Sequence, residues 1–278
     1  MGGIYWELSE LNSTWDSRIK RADQLISVYP FASQALKFYA GVAVVQEELY
    51  AQLQKAQPDT TGATLLDQLD VLVPVTKFPG FLTAIERIAP APLAQSAAAL
   101  AQGGSSAWRR VIEEFHRSIE NPAADAKDDS GLEWCLAWLF LQPYAEFLAE
   151  RITARNGETD SVCPVCGAKP IVGVLRPEGN GARKSLVCML CANEWPFRRV
   201  CCPACGEERE PQMAFYSAPE IAHVRVDVCD SCYTYLKSVD LTKTGLAVPI
   251  VDELASLPLD LWAGENGYTK LQVNILGI

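Results

Sequence analysis

Eight cysteines in the second half of the chain are spaced as four Cys-x-x-Cys pairs. Two residues between cysteines is the spacing of a metal knuckle, in which a tight turn directs both sulfurs at one ion. A tetrahedral site needs two such knuckles, so four pairs predict two sites in which every ligand is a thiolate. The pairs are Cys163/Cys166, Cys188/Cys191, Cys202/Cys205 and Cys229/Cys232.

Two other uses of paired cysteines fit this sequence less well. A disulfide framework is typical of small secreted chains, whereas this chain has 278 residues and its first eleven lack the basic and apolar regions of a signal peptide. A thioredoxin-type Cys-x-x-Cys is expected once, at the start of a helix, and not four times in loop-like sequence. We therefore favour metal binding in a reducing compartment, which predicts a soluble, intracellular protein.

The spacing between the pairs indicates how the knuckles are grouped. Twenty-one residues separate the first pair from the second and twenty-three separate the third from the fourth, and each gap suits one ribbon hairpin. The segments CPVCG (163–167) and CPACG (202–206) also form an internal repeat. We expect a first site of Cys163, Cys166, Cys188 and Cys191 and a second of Cys202, Cys205, Cys229 and Cys232. An interleaved arrangement, first pair with third and second with fourth, stays open.

The charge of the chain bears on its partners. The formal net charge is −10, and residues 158–240 contain nine Lys/Arg against eleven Asp/Glu. Thiolates around an ion add further negative charge. Since nucleic-acid binding depends on neutralising phosphates, the ribbon segment is poorly suited to it, and a protein partner is favoured.

Enzymatic and membrane functions are also disfavoured. A closed four-thiolate site has no open coordination position for a substrate, and no acid–base constellation accompanies the cysteines. We predict no catalytic residues, with electron transfer through the metal sites left open. The longest uninterrupted apolar run, residues 134–141, is far shorter than a membrane span.

The hydrophobic pattern divides the chain into a helical part and a ribbon part. Apolar residues recur at helical spacing over 30–55, and further helices are predicted over 65–72, 81–88, 92–101, 107–117 and 131–152. After residue 157 come short strand-like runs at 171–175, 185–187, 213–217 and 223–228, and a closing helix near 251–261. The predicted fold is α+β and multidomain: a mainly helical domain (1–157), two tandem rubredoxin-like (zinc-ribbon-like) four-cysteine metal domains (158–200 and 201–240) and a C-terminal segment (241–278) whose helix packs back on the ribbons.

Several isolated residues receive structural interpretations. Cys201 is expected to be a non-ligand neighbour between the ribbons, with a role as a spare ligand left open, and Cys135 is expected to be a core residue of its helix. Neither His116, interpreted as a surface helix residue, nor His223, interpreted as a strand residue, is assigned a catalytic role.

Longer motifs around the knuckles resemble those of the FdhE family, which are formate dehydrogenase accessory proteins. The resemblance rests on CPVCG (163–167), CMLCANEWPFRRVCCPAC (188–205), VCDSCYTYLK (228–237) and DELASLPLD (252–260), and more weakly on RIKRADQLI (18–26) and FYAGVAVVQEELY (38–50). The steps Glu194-Trp195 and Tyr235-Leu236-Lys237 are more specific than the knuckles alone.

The resemblance implies a cytoplasmic chaperone for the maturation of respiratory formate dehydrogenase. Such a protein binds the catalytic subunit before export and holds two rubredoxin-like irons, with zinc as the alternative metal. The eight paired cysteines would be the ligands. We expect the partner surface between the helical and ribbon parts, with contacts from Trp195, Arg198, Arg199, Tyr235 and Lys237. A structural zinc ribbon that binds protein in another assembly is the alternative function, and the sequence does not indicate the oligomeric state.

Overall fold

Helices occupy the N-terminal half of the protein. The structure, a computed structural model, describes residues 14–59, 64–72, 75–120, 131–152 and 160–277, without the side chains of residues 66 and 70–72. The helices of this half are α1 (Thr14–Val28), α2 (Ser33–Ala56), α3 (Leu65–Leu72), α4 (Phe78–Glu86), α5 (Ala91–Gln102), α6 (Gly104–Glu120) and α7 (Leu132–Ala149). Each helix predicted from the apolar pattern corresponds to one of these.

Helix α7 lies at the centre of the helical half, as its composition predicts. Residues 136–148 are buried without interruption, and Pro143 lies inside the helix. The ring of Phe140 lies 4.6 Å from that of Phe78 and 5.3 Å from that of Phe81, so α4 packs directly on α7. Because α7 is apolar on every side, it is stable only when other elements cover it all round.

Helix α1 forms ion pairs with distant parts of the chain. The sequence pattern did not predict its bounds. The guanidinium of Arg18 is buried and lies 2.8 Å from the Glu146 carboxylate of α7. The Arg21 guanidinium makes two hydrogen bonds, of 2.9 and 2.5 Å, to the carboxylate of Asp252. The polar face of α1 therefore points inward at two places, which hides its amphipathic pattern from an analysis of sequence alone.

One mixed sheet of seven strands contains both ribbons. Its strands are β1 (Pro170–Glu178), β2 (Gly181–Cys188), β3 (Glu194–Pro196), β4 (Met213–Ser217), β5 (Val224–Cys229), β6 (Thr234–Asp240) and β7 (Thr269–Lys270). The order is β3-β2-β1-β6-β5-β4, with β7 beside β6. The predicted strand runs fall in β1, β2, β4 and β5, whereas β3, β6 and β7 were missed. The structure confirms the α+β class.

The two ribbons meet where β1 pairs with β6 in parallel. Gly173 lies opposite Ser238 in this pairing, and a Cβ on Gly173 would come within 2.2 Å of the Ser238 hydroxyl oxygen. That hydroxyl donates to the Asp227 carboxylate of the second ribbon, which also accepts from the buried Lys184 of the first ribbon at 2.8 Å. Burial alone would raise the pKa of Asp227, but Lys184 and Arg225 outweigh it and hold the pKa below its ordinary value. A buried ion pair and a close backbone approach thus join the ribbons.

The C-terminal segment contains two helices where the sequence predicted one over 251–261. They are α8 (Pro249–Ala255) and α9 (Leu257–Glu265), and Ser256 between them leaves the helical region with ψ near 40°. Pro258 explains the break, because its ring clashes with the carbonyl four residues earlier and it has no N–H to donate. Among the helices of the described residues, none is long and apolar enough to cross a membrane.

The predicted domain borders have different outcomes. The border at 157/158 lies outside the described residues. The sheet continues across the border at 200/201, because β1 of one ribbon pairs with β6 of the other. The division into separate ribbon domains therefore stays a prediction.

We expect Gly173→Ala to lower the free energy of unfolding by roughly 1–3 kcal/mol, because strand pairing holds both backbones against the added methyl group. Chemical denaturation of the metal-loaded protein, followed by tryptophan fluorescence, measures this change. The matched control is Gly181→Ala in the same hairpin, where a Cβ would lie 3.9 Å from its nearest neighbour. Equal losses in both variants would contradict the close contact.

Candidate metal centres

The first four-cysteine site is enclosed by protein. Its sulfurs all lie within 4.8 Å of one another, with Cys163 3.6 Å from Cys191 and Cys166 3.3 Å from Cys188. All four residues are at most 5% exposed. The first two cysteines lie in the turn before β1, the third ends β2, and the fourth lies in the turn that leads to β3.

The second site repeats this arrangement at the other ribbon. Cys202 lies 3.7 Å from Cys232 and Cys205 lies 3.7 Å from Cys229, measured between sulfurs. Here the surroundings are more open, because Cys205 is exposed and Cys232 is half-buried. The structure thus groups the knuckles sequentially, first with second and third with fourth.

The sulfur positions fit a tetrahedral thiolate-bound ion. A metal–sulfur bond of about 2.3 Å places tetrahedral sulfurs about 3.8 Å apart, close to the distances found in both sites. Backbone N–H groups point at the sulfurs. The N–H of Val165 donates to the Cys163 sulfur and that of Ala204 to the Cys202 sulfur, each at a distance of 3.4 Å. Such hydrogen bonds delocalise thiolate charge and orient the ligands. The two clusters can therefore hold two metal ions, one each.

The same backbone turn occurs in all four knuckles. The residue that follows the second cysteine has a positive φ in every case: Gly167 (78°), Ala192 (52°), Gly206 (75°) and Tyr233 (55°). The sequence indicated this turn only where glycine supplies it. At the other two knuckles a non-glycine residue is held in the same conformation. A positive φ strains the backbone of such a residue, so the surrounding structure must hold it there.

The helical half holds the first site through the carbonyl of Met189. This residue lies between Cys188 and Cys191, and its oxygen accepts hydrogen bonds of 2.9 Å from the side chains of Trp138 and Gln142 on α7. The central helix therefore fixes one knuckle directly. Trp138 is a core residue with a hydrogen-bonded indole, and its role in holding a metal loop was not evident from the sequence.

The isolated cysteines and histidines lie outside both clusters. Cys201 is buried beside the second site, but its sulfur is not grouped with the four ligands. Burial raises the pKa of Cys135 on α7 to about 12, so its thiol is neutral. His116 is a buried residue of α6 and not a surface one. His223 lies in the turn before β5 and not in a strand, with Nε2 2.8 Å from Asp252.

Three of the five residues expected to contact a partner are buried. Trp195 is fully covered and its indole donates to the Asp160 carbonyl at 2.8 Å. Tyr235 donates to Asp260 at 2.9 Å, and the Lys237 ammonium lies 2.5 Å from the same carboxylate. These side chains belong to the core and have no surface to offer a partner. Arg198 and Arg199 are exposed, and for them the expectation stays a prediction.

Two buried charge clusters tie the C-terminal helices to the sheet. In one, Lys237 and Lys270 alternate with Glu253 and Asp260 at separations of 2.5–3.0 Å. Burial would raise the pKa of Glu253, but the two lysines lower it below its ordinary value.

In the other cluster, Asp252 accepts from Arg21 and lies within hydrogen-bonding distance of His223. Burial alone would raise the pKa of Asp252, but the contacts with His223 and Arg21 outweigh burial and lower it. The carboxylates of Glu253 and Asp252 are therefore charged and internally paired, so neither is a free acid or base.

We expect serine at any of the eight clustered cysteines to reduce the metal content from two ions per chain to about one, since a tetrahedral site lacking one thiolate binds far more weakly. Elemental analysis after gel filtration measures this ratio. Cys135→Ser and Cys201→Ser are the controls and should retain both ions. Loss of an ion from Cys201→Ser would make that residue a ligand.

A chelator should remove the two ions at different rates. We expect the second site to release first, roughly tenfold faster or more, because release from the enclosed first site must wait for local opening. A colorimetric chelator assay should then give two phases. The fast phase should disappear in Cys205→Ser and persist in Cys166→Ser, and the reverse pattern would contradict this order.

Comparison with known proteins gives consistent matches along the chain. Residues 162–199 match the family model described as FdhE, central domain, and residues 200–276 match the model described as FdhE, C-terminal domain. A protein FdhE homolog from Aquifex aeolicus is 34% identical over 141 residues, which is 50% of each chain. One from Pectobacterium carotovorum is 27% identical over 275 residues, which is 96% of this chain and 88% of that relative.

The extent of these matches varies. The matched segments span about half the length of the relatives from Aquifex aeolicus (50%), Shewanella oneidensis (47%) and Shewanella baltica (55%). The crystal structure of the FdhE protein from Pseudomonas aeruginosa matches with a TM-score of 0.71 over 95% of both chains at 24% identity, which shows a shared fold. Two FdhE domain models thus match residues 162–276 in chain order and a relative matches nearly the whole chain, so this chain is similar to FdhE proteins in sequence as well as in fold.

Proposed function

We propose that this protein is an accessory factor for the maturation of respiratory formate dehydrogenase. It would bind the catalytic subunit in the cytoplasm before export and hold one iron in each four-cysteine site. The observation that carries the proposal is a pair of tetrahedral thiolate sites in a chain that matches two FdhE domain models in order. Neither site leaves a coordination position open, so the chemistry it favours is binding and electron exchange, and not substrate turnover.

The surroundings of the clusters support an accessory role over catalysis. The buried carboxylates that an analysis of sequence alone could take for acid–base residues are engaged by cations: Asp252 by Arg21, and Glu253 and Asp260 by lysines. Their charges stabilise the fold.

Iron is the ion that we propose because the CPVCG and CPACG knuckles resemble those of rubredoxin. An iron ion held by four thiolates supplies one-electron chemistry. The N–H groups of Val165, Leu190, Cys191 and Ala204 point at the sulfurs and would favour the reduced, more negative form of such a centre. The exposed Cys205 would give the second site the shorter path for an electron from a client.

A structural zinc ribbon that binds a protein of another assembly is the second candidate. The enclosure of the first site favours it, because a structural metal site is typically closed and anchored by the fold. The hydrogen bonds from α7 to the Met189 carbonyl suit such a scaffold. Capture of the formate dehydrogenase catalytic subunit separates the two candidates, and metal identity decides only whether the sites can exchange electrons, since zinc has no redox chemistry.

Arg198 and Arg199 are the residues through which we propose contact with the client. Both are exposed on the segment between β3 and the second site, and the Arg198 guanidinium lies 2.5 Å from Glu208. An arginine pair in an acidic chain favours a local acidic patch on the partner. Arg199 is the better candidate for a contact with the client, because Arg198 already forms an ion pair with Glu208.

We expect the tagged protein to capture the formate dehydrogenase catalytic subunit of the same organism when both are produced anaerobically. Arg199→Glu should reduce the captured amount several-fold, because it replaces attraction for an acidic patch by repulsion. Lys243→Glu is the control: it reverses the charge of an exposed lysine elsewhere on the chain and should leave the captured amount of the subunit unchanged. Mass spectrometry quantifies the subunit.

Metal content and the visible spectrum are measured on the same preparation. Two irons with thiolate-to-iron bands would support redox handling of the client. Two zincs would leave the accessory role and remove the redox role. Failure of the intact protein to capture the subunit would contradict the proposed function.

A further inference from the structure

The two ends of the sheet are built very differently. At one end, β3 has three residues, ends in Pro196 and buries Trp195 completely. At the other end, β4 has five residues without proline and leaves Phe215 62% exposed and Tyr216 46% exposed. A short strand with proline is a common way to block pairing at a sheet edge. The β4 edge has no such protection.

Among the described residues, the backbone of β4 presents unpaired groups to its outer side. In the part of the chain that the structure describes, β5 is the sole strand paired with β4. The Asp230 N–H donates to the Gln212 carbonyl at 2.9 Å. This bond shows which residues of β4 face β5 with their backbone N–H and C=O groups. Since such ladders alternate, Ala214 and Tyr216 direct their backbone groups toward β5. Phe215 and Ser217 direct theirs outward.

Strand β4 carries an exposed aromatic side chain on each face of the sheet. Phe215 lies on one face under the Arg225 guanidinium, which is 4.7 Å from its ring. Tyr216 lies on the other face, with its ring 4.5 Å from that of Trp262 on α9. A strand added beside β4 would therefore find an aromatic neighbour on each face, so alternate apolar side chains of that strand could be covered.

Acidic residues flank the edge at both ends. Glu210 precedes β4 by three residues and Glu220 follows it by three, and both are exposed. Within the described residues neither has an ion-pair partner, whereas Glu207 and Glu208 nearby are paired with Arg209 and Arg198. The charge at this edge therefore favours an occupant with basic residues on both sides of its apolar part.

The same charges disfavour a second copy of this chain as the occupant. Two β4 strands paired antiparallel about Phe215 would bring Glu210 of each chain to the end where Glu220 of the other lies. A parallel pairing would place identical glutamates side by side. Like charges facing each other across a strand pair are destabilising, so self-association is the weaker alternative.

We propose that β4 is a strand-addition site for an extended polypeptide segment whose apolar centre is flanked by lysine or arginine. The segment would donate to and accept from the outward backbone groups of Phe215 and Ser217, in the manner of other proteins that recognise peptides by adding a strand. Met213 at the start of β4 lies opposite Cys229, so β4 itself would lie between the bound segment and this ligand of the second metal site. The inference does not depend on the identity of the client.

Peptide binding to the full, metal-loaded chain tests the proposal. The probe is a fluorescein-labelled peptide of alternating valine and threonine, as long as β4 and flanked by paired lysines, with a glutamate-flanked version beside it. Fluorescence anisotropy should show binding of the lysine-flanked peptide and at least about tenfold weaker binding of the other, since the flanking charges then repel. Replacing both glutamates by Glu210→Gln and Glu220→Gln should remove most of this preference.

Two changes isolate the backbone hydrogen bonds. Phe215→Pro removes an outward N–H without removing a bond to β5, and Phe215→Ala removes the same ring but keeps the N–H. Binding should be about tenfold weaker in the proline variant than in the alanine variant, from the lost hydrogen bond and the steric block. Metal content and melting temperature check that both variants fold. The intact protein with a peptide N-methylated at alternate residues gives the same test without a variant, and binding should be lost.

Four results would overturn the proposal. These are equal binding by the proline and alanine variants, full binding of the N-methylated peptide, equal binding of lysine- and glutamate-flanked peptides, and no peptide binding by the intact protein. Sedimentation equilibrium adds one more decisive outcome. A dimer of the intact protein that Phe215→Pro dissociates would assign the edge to a second copy of this chain.

Discussion

Four sulfurs must converge on one point in each ribbon, and the local structure follows from that requirement. The ribbon hairpins are too small to bury a core of their own, and in such modules metal binding contributes directly to folding free energy. The backbone meets the requirement with the same turn four times, each with a positive φ after the second cysteine. Where the sequence has Ala192 and Tyr233 in place of glycine, the metal geometry and strand pairing hold a conformation that these residues rarely adopt.

Two chemically equal sites acquire different properties from their positions in the fold. The first lies against the helical half, and α7 holds the carbonyl of Met189 through Trp138 and Gln142. The second lies at the far side of the shared sheet, close to the β4 edge, with Cys205 exposed. One site is therefore suited to hold structure and the other to meet a partner. The repeat in the sequence predicts two equal sites, and only the packing of the helical half distinguishes them.

The motifs that resemble those of FdhE proteins are mostly occupied with internal contacts. In the segment 252–260, Asp252, Glu253 and Asp260 are buried in ion pairs, and the Ser256 hydroxyl donates to the Glu253 carbonyl. Tyr235 and Lys237 belong to the same buried cluster. These residues stabilise the attachment of the C-terminal helices to the sheet. Of the exposed residues proposed to meet a partner, Arg199 lies inside one of these motifs, whereas the Phe215-Tyr216 edge lies outside them.

The sequence by itself determined the features that depend on local spacing. Two residues between cysteines specify a knuckle, and helical periodicity specifies most helices, because both are properties of a few consecutive residues. The tertiary structure alone decided the parallel pairing of β1 with β6, the inward charges of α1 and the burial of Trp195, Tyr235 and Lys237. These features join residues far apart in the chain, such as Arg21 and Asp252. A charged side chain has the same sequence signature whether it meets water or a buried counter-charge, so only the folded chain distinguishes the two.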